Sequence, residues 1–250
     1  MPEYKTESEL AKSLKGLHLF HFVMSNCSQR VRLALEEKGL TWTSHHLDLS
    51  KNEHVTPEYQ ALNPKGVVPT LVHDGKVIVE SNDILSYLEE QFPDPPLVPE
   101  DNSMAEVMAD CMRLSGATQD AMKVITFDLL FRHFKTVSDD ELEFLEKNRN
   151  NKDILQFTKD FKEDGDAWRE RVTSANQIMS DTLTKLNSVL EKTPWLSGEE
   201  YGLADISWVV NAQRLIQIKY PFDNFPKLVD WCERAIARPA YKAAVENYRP

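Results

Sequence analysis

One stretch near the N-terminus, Leu17–Leu49 (LHLFHFVMSNCSQRVRLALEEKGLTWTSHHLDL), decides the fold. Residues 17–24 form an apolar and aromatic run broken only by two histidines, which predicts a buried strand. Ser25 and Asn26 are favoured helix N-caps, and apolar residues then recur at helical spacing up to a glycine. Residues 41–49 alternate and are rich in β-formers, so they predict a second strand. A β-α-β unit of this kind predicts two parallel strands.

Downstream of this unit, the sequence predicts a hairpin and a helix. Residues 67–72 are strand-like, and an Asp-Gly pair at 74–75 predicts a tight turn before a partner strand at 76–79. The polar residues 80–82 are suited to cap a helix that runs to about Gln91. The first part of the chain is therefore predicted to be an α/β domain.

Beyond a proline-rich segment, the sequence shows helical periodicity and almost no strand signal. The predicted helical segments are 104–134, 139–150, 166–191, 204–219 and 225–248. The highly charged segment 147–165 is predicted to be a solvated helix-loop. The predicted domains are an N-terminal extension at 1–16, an α/β domain at 17–92, a linker at 93–103 and an all-α domain at 104–250.

Composition and charge exclude several classes of function. The chain has 250 residues, with 29 Lys+Arg against 40 Asp+Glu, a net charge of −11. Duplex binding depends on cationic contacts to phosphate, so we expect no nucleic-acid partner. The sequence has neither an apolar run of membrane-span length nor a secretory signal in residues 1–15, so we expect no membrane partner. Cys27, Cys111 and Cys232 lack zinc-ligand spacing, which predicts no metal site and a reducing, cytoplasmic location.

Five motifs, taken in order, resemble the cytosolic glutathione S-transferase superfamily from about Leu17 to the C-terminus. They are SNCSQRVR at 25–32, NPKG at 63–66, VPTL at 68–71, ESNDI at 80–84 and LADI at 203–206. The combination that is specific to this family is V-P-x-L at 68–71 followed by E-S at 80–81, whereas each motif alone is a weak signal. The start of the first motif is similar to the zeta (maleylacetoacetate isomerase) and tetrachlorohydroquinone dehalogenase branches. The C-terminal half, with a charged insertion, is similar to bacterial β-etherases.

The resemblance implies a fold and a co-substrate. The fold is an α/β thioredoxin-like N-terminal domain plus an all-α C-terminal domain, the glutathione transferase fold. The co-substrate is glutathione, and the expected assembly is a homodimer. In the family's folding signal, Asp205 belongs to a helix capping box whose first position is here Gly202, a weaker N-cap than serine. We therefore interpret Asp205 as structural.

Two residues at the start of the first helix are candidates for the thiol chemistry. The thiolate is the nucleophilic form, and a thiol titrates near 8.5 unless its surroundings favour the anion. The Ser25 hydroxyl can donate to the sulfur of glutathione at a helix N-terminus, although it can equally be an ordinary N-cap. The resemblance to the dehalogenase branch implies that Cys27 forms a mixed disulfide with glutathione. Its position on the apolar stripe equally fits a small core residue.

Five further residues are implied for binding the tripeptide. Val68 would hold the cysteinyl unit through its main chain, next to a cis bond to the following proline. Glu80 and Ser81 would bind the γ-glutamyl ammonium and carboxylate. His54 and Lys65 flank the position of the glycyl carboxylate, although both fit a solvated surface equally well.

The expected reaction is attack of the glutathione thiolate on a small hydrophobic electrophile, either conjugation or thiolytic cleavage of an aryl ether. The acceptor site is expected to include Met108, Cys111, Met112 and Ser115, although each of them alone fits a helix-bundle core better. One alternative is a glutathione-dependent reductive dehalogenase or isomerase that uses Cys27. A non-enzymatic alternative is a transferase-like glutathione-binding or scaffold protein.

Overall fold

The structure is a computed structural model that describes residues 3–4 and 8–249. The contacts between residues divide the chain into two compact units. The first comprises the residues up to Phe92, Val137–Lys159 and the residues from Ala243 onward, and the second comprises Pro93–Thr136 and Asp160–Lys242. The predicted extension at 1–16 lies partly outside the described residues. Where it is described, it contributes a strand and a helix to the first unit.

A sheet organises the first unit. Its strands are β1 Glu3–Tyr4, β2 Leu17–His21, β3 Thr43–His46, β4 Thr70–His73 and β5 Lys76–Val79. In the described residues they form one five-stranded sheet in the order β1-β5-β4-β2-β3. β2 and β3 pair in parallel, which confirms the β-α-β prediction, and β4 pairs antiparallel with both β2 and β5.

Helices cover the sheet in the first unit and make up the second. In chain order they are α1 Glu9–Ser13, α2 Asn26–Glu37, α3 Pro57–Leu62, α4 Ser81–Gln91, α5 Asn102–Ala117, α6 Gln119–Leu129, α7 Asp139–Asn148, α8 Lys152–Glu163, α9 Asp166–Leu190, α10 Leu203–Gln217, α11 Pro226–Ile236 and α12 Pro239–Tyr241. None of them, within the described residues, is long and apolar enough to cross a membrane.

The observed strands are shorter than predicted at the positions that matter for function. The strand predicted at 17–24 ends at His21, because the chain turns and Ser25 N–H donates to Phe22 O at 3.2 Å. The strand predicted at 41–49 is limited to 43–46. The strand predicted at 67–72 begins only at Thr70, after the proline. The residues after β2 and before β4 become loops at the same end of the sheet, because these two strands are antiparallel.

Three helical predictions also need correction. The segment predicted as helical at 225–248 is interrupted where α11 ends at Ile236 and α12 begins at Pro239. The segment predicted as one helix at 104–134 is interrupted at Thr118, which ends α5 and begins α6. The segment 147–165 is not a solvated helix-loop, because α8 is an ordered helix that buries Leu155, Phe157 and Phe161. Its apolar residues recur at helical spacing, so one face is buried although the composition is highly charged.

The second unit packs around α10, which is buried along most of its length. Trp208 Nε1 donates to Cys111 O at 2.7 Å, and Ser207 Oγ donates to Ser115 Oγ at 2.8 Å. Met108 and Met112 are also buried. These contacts give the four candidate acceptor-site residues a role in helix packing.

Asp205 organises the start of α10, as the capping-box interpretation predicts. Its buried carboxylate accepts from the backbone N–H groups of Leu196 at 2.8 Å and Gly202 at 3.0 Å. It also accepts from Trp231 Nε1 at 2.7 Å. A carboxylate that joins a loop, a helix start and a neighbouring helix in this way is structural.

Two segments from the second half of the sequence pack on the first unit. Leu145 and Leu155 form a cluster with Val55. Near the C-terminus, Ala244 O accepts from Arg32 Nε at 2.9 Å, and the Arg32 guanidinium lies 4.3 Å from the centroid of the Tyr248 ring. The predicted all-α domain at 104–250 therefore differs from the contact-based units at 137–159 and after residue 242.

Candidate active site

The sheet topology brings the N-termini of α2 and α4 and the start of β4 to the same edge of the first unit. β2 and β4 are antiparallel, with Phe20 opposite Thr70, so the end of β2 lies beside the start of β4. Val79 also pairs with Thr70, so the end of β5 leads into α4 at this edge. The predicted residues that meet here are Ser25, Cys27, Val68, Glu80 and Ser81.

Ser25 is the N-cap of α2. Its Oγ accepts from Ser28 N at 3.3 Å, which is the ordinary capping bond. That bond uses a lone pair of the oxygen and leaves the O–H to donate. No described residue accepts a hydrogen bond from this hydroxyl. The capping bond therefore leaves the O–H of Ser25 able to donate, as the predicted thiol-binding role requires.

Cys27 lies in the first turn of α2 and is half-buried. Arg30 follows three residues later in α2 and is a buried guanidinium whose Nη1 donates to Ser81 Oγ at 2.8 Å. Burial lowers the pKa of Arg30, and negative charge on the Cys27 sulfur opposes that shift. Arg30 thus links the starts of α2 and α4. It lay within the first quoted motif, but the sequence pattern gave it no role.

The backbone N–H and C=O of Val68 can form hydrogen bonds with a ligand. Tyr59 Oη donates to Val67 O at 2.6 Å and Asn63 Nδ2 donates to the same oxygen at 2.9 Å, which fixes the loop before it. The Val68 side chain packs against the core of the first unit, and the Val68–Pro69 bond is cis. No described residue hydrogen-bonds to the N–H or C=O of Val68. A peptide backbone can add to these two groups as a strand does.

Glu80 and Ser81 begin α4. Glu80 has φ 64°, a left-handed backbone angle that is uncommon for a side chain other than glycine and that recurs at functional sites. Its Oε1 lies 2.5 Å from Lys65 Nζ, and both side chains are more than half exposed. Asp83 follows on the first turn, where burial and the charge of Glu80 raise its pKa. The carboxylates of Glu80 and Asp83 therefore lie together at the N-terminus of α4. Of these two carboxylates, the sequence analysis assigned a binding role only to that of Glu80.

The two residues predicted for the glycyl carboxylate have different surroundings. Lys65 pairs with Glu80 on the surface. His54 is buried in a single turn of 3-10 helix, and its Nε2 lies 2.6 Å from Arg149 Nη2. The His54 C=O would be 3.0 Å from a Cβ at Gly66, so the two loops are in contact. Arg149 was absent from the sequence prediction, because it lies far along the chain in a charged segment.

The chain is similar to known proteins of one family. Two family models match it: Glutathione S-transferase, N-terminal domain, over residues 19–96, and Glutathione S-transferase, C-terminal domain, over residues 166–234. Glutathione S-transferase 1 of Dianthus caryophyllus is 51% identical over 85 residues, which are 34% of this chain and 38% of that protein. The chain therefore spans about two fifths of the length of that relative.

Longer alignments extend over both units. The tetrachloro-p-hydroquinone reductive dehalogenase of Sphingobium chlorophenolicum is 28% identical over 241 residues, which cover 90% of this chain and 94% of that protein. The β-etherase LigF from Sphingobium sp. strain SYK-6 has a similar structure, with a TM-score of 0.82 and 27% identity over 93% of this chain and 99% of that chain. Other solved chains with this fold contain bound glutathione. The thioredoxin-like first unit, the helical second unit and the two family matches agree: the chain belongs to the glutathione S-transferase superfamily.

Proposed function

We propose that this protein is a glutathione transferase whose glutathione thiolate attacks a hydrophobic electrophile. The observation that carries the proposal is the main chain of Val68, which has no hydrogen-bond partner among the described residues and lies at the sheet edge where α2 and α4 begin. An extended cysteinyl unit bound there has its sulfur directed to Ser25. Its γ-glutamyl end then lies toward Ser81 and its glycyl end toward His54.

In the chemical step, the hydroxyl of Ser25 donates a hydrogen bond to the glutathione sulfur. The free N–H groups of the first turn of α2 add partial positive charge, so the thiol loses its proton to solvent more readily. The sulfur lone pair then forms a carbon–sulfur bond, and the electrophile expels halide or aryloxide. Conjugation and thiolytic cleavage of an aryl ether differ only in that leaving group.

The γ-glutamyl end carries an ammonium and a carboxylate, and the start of α4 suits both. The carboxylates of Glu80 and Asp83 attract the ammonium group. The Ser81 hydroxyl oxygen accepts from Arg30, so its O–H can donate to the ligand carboxylate. The first N–H groups of α4 supply further donors for that carboxylate.

Replacement of Ser25 tests this function. Ser25→Ala removes one charge-assisted hydrogen bond, so we expect turnover of an aryl halide with glutathione to fall by about 10- to 100-fold. Ser25→Thr keeps the hydroxyl and serves as the matched control. Because alanine also removes an N-cap, thermal unfolding of both variants separates stability from catalysis. Wild-type kinetics in Ser25→Ala would remove Ser25 from the mechanism.

A second candidate is reductive chemistry at Cys27, which lies two residues after Ser25 in the first turn of α2 and is half-buried. Cys27 would attack the sulfur of a glutathionylated aromatic substrate, release the reduced aromatic and form a mixed disulfide with glutathione. A second glutathione would then reduce that disulfide and leave as glutathione disulfide. We expect mass spectrometry to find the adduct on Cys27, and Cys27→Ser to lose only reductive activity. Full reductive activity in that variant would make Cys27 a packing residue.

A glutathione-binding or scaffold protein without turnover is the non-enzymatic alternative. Calorimetry with glutathione, followed by assays with aryl halides, epoxides, quinones and β-aryl ethers, separates it from the enzyme. Binding without any turnover would favour the scaffold. With the enzyme we also propose a homodimer that acts in cytoplasmic detoxification, and sedimentation velocity measures the assembly directly.

A further inference from the structure

Arg149 is a buried cation without a counter-ion in the described part of the chain. It lies directly after α7, and only 7% of the residue is exposed. Its Nε is buried and has no hydrogen-bond partner, and no described carboxylate forms an ion pair with it. Removing a guanidinium from water is unfavourable unless an anion compensates for it. The site therefore lacks a negative charge.

Within the described residues, the polar side chain that Arg149 contacts is an imidazole and not a carboxylate. Arg149 Nη2 lies 2.6 Å from His54 Nε2, and because a guanidinium can only donate, the imidazole nitrogen is the acceptor of this hydrogen bond. The backbone of α7 is fixed independently, because Gln60 Nε2 donates to Asn148 O at 2.8 Å and Gln60 Oε1 accepts from Asn150 N–H at 3.1 Å. Arg149 is therefore not needed to hold this turn in place.

The location of Arg149 matches one end of the glutathione site. His54 belongs to the loop that contacts Gly66, and Gly66 directly follows Lys65. The tripeptide carries a carboxylate at its glycyl end. Lys65, the other candidate for that carboxylate, already has Glu80 as its partner.

We propose that Arg149 is a glutathione-binding residue that, together with His54, holds the glycyl carboxylate. The inference rests on the proposed function and extends it to a residue supplied by the 137–159 segment. A guanidinium can donate two parallel hydrogen bonds to one carboxylate, a bidentate pair that a lysine cannot reproduce. Binding of the tripeptide would also stabilise the end of α7, because the ligand would join this segment to the His54 loop.

Calorimetry with two ligands tests the assignment. Glutathione has the glycyl carboxylate, whereas γ-glutamylcysteine lacks the glycine. We expect Arg149→Gln to weaken glutathione binding by about 10- to 100-fold and to leave the Kd of γ-glutamylcysteine unchanged. Arg149→Lys should recover part of the loss. Lys147→Gln, which removes an exposed charge two residues away, should bind both ligands as the wild type does.

Each other outcome has a defined meaning. An equal loss for both ligands, or no loss, overturns the role of Arg149 while leaving the proposed function intact. A wild type that binds neither ligand overturns the proposed function and this inference with it. If Arg149→Gln fails to fold, hydrogen exchange on the wild type decides. Glutathione must then protect the amides at the end of α7 more than γ-glutamylcysteine does, and equal protection overturns the assignment.

Discussion

At the residue scale, Arg32 and His21 show how the first unit accommodates a buried charge. Arg32 makes hydrogen bonds to Ala244 O at 2.9 Å and Val23 O at 3.1 Å. Its Nη1 donates to His21 Nδ1 at 3.2 Å, so the proton of His21 is on Nε2, which donates to Ser44 Oγ at 2.9 Å. His21 is thus held neutral.

This arrangement makes stability depend on pH. Burial, followed by the charge of Arg32 and the neighbouring His46 and His45, lowers the pKa of His21 from 6.5 to about 3. Below pH 6.5, His21 binds a proton in the unfolded chain but stays neutral in the folded chain. The free energy of unfolding therefore falls as the pH drops toward 3. The loss approaches about 1.4 kcal/mol per pH unit for this one group.

Urea unfolding at pH 7, 5.5 and 4.5 measures the effect. We expect His21→Gln to have a shallower pH dependence than the wild type, at the expense of some stability at pH 7. His133→Gln, a change at an exposed histidine, serves as the control and should keep the wild-type slope. Parallel curves for the wild type and His21→Gln would contradict the prediction.

At the scale of elements, the start of α10 explains why glycine replaces serine in the capping box. A Cβ at Gly202 would lie 2.3 Å from Leu97 O and 2.9 Å from the Ser197 side chain. The Leu97 oxygen also accepts from Leu203 N–H at 3.0 Å, so it cannot move freely. The sequence pattern correctly predicted the structural role of Asp205. The reason for Gly202 is a long-range contact that no local pattern contains.

We therefore expect Gly202→Ser to destabilise the protein, although serine is the better N-cap. The clash should lower the free energy of unfolding by about 1–3 kcal/mol. Gly165, the N-cap of α9, is the matched control, because a Cβ there would have no neighbour within 4 Å. Gly165→Ser should be neutral or slightly stabilising. Thermal unfolding of both variants checks the pair, and a more stable Gly202→Ser would contradict the packing argument.

At the scale of the whole molecule, local signals predicted much of the architecture. The β-α-β unit, the hairpin of β4 and β5 and the helix α4 follow from periodicity, turn residues and capping residues. The grouping of 137–159 and the C-terminal residues with the first unit could not be predicted in this way. It depends on contacts between residues far apart in sequence, such as Arg32 with Ala244. The same limit applies to Arg149, whose neighbour His54 is distant along the chain.

The C-terminal residues should therefore contribute to the stability of the first unit. Deleting residues 243–250 removes the Ala244 carbonyl and the Tyr248 ring from the buried Arg32 guanidinium. We expect a loss of about 2–4 kcal/mol, from one hydrogen bond to a charged group and one cation–π contact. Arg32→Met should reduce the effect of the same deletion. Equal thermal midpoints for the full-length and shortened chains would refute this role.

The late return of the chain to its first unit also sets an order of events during synthesis. Arg32 leaves the ribosome early, whereas its partner Ala244 is 212 residues further along the chain. Before residue 244 is synthesised, the first unit therefore lacks the Ala244 carbonyl, and the Arg32 guanidinium lacks one of the acceptors that surround it in the folded protein. A nascent chain stalled after Phe92 would expose this incomplete unit to chaperones and proteases.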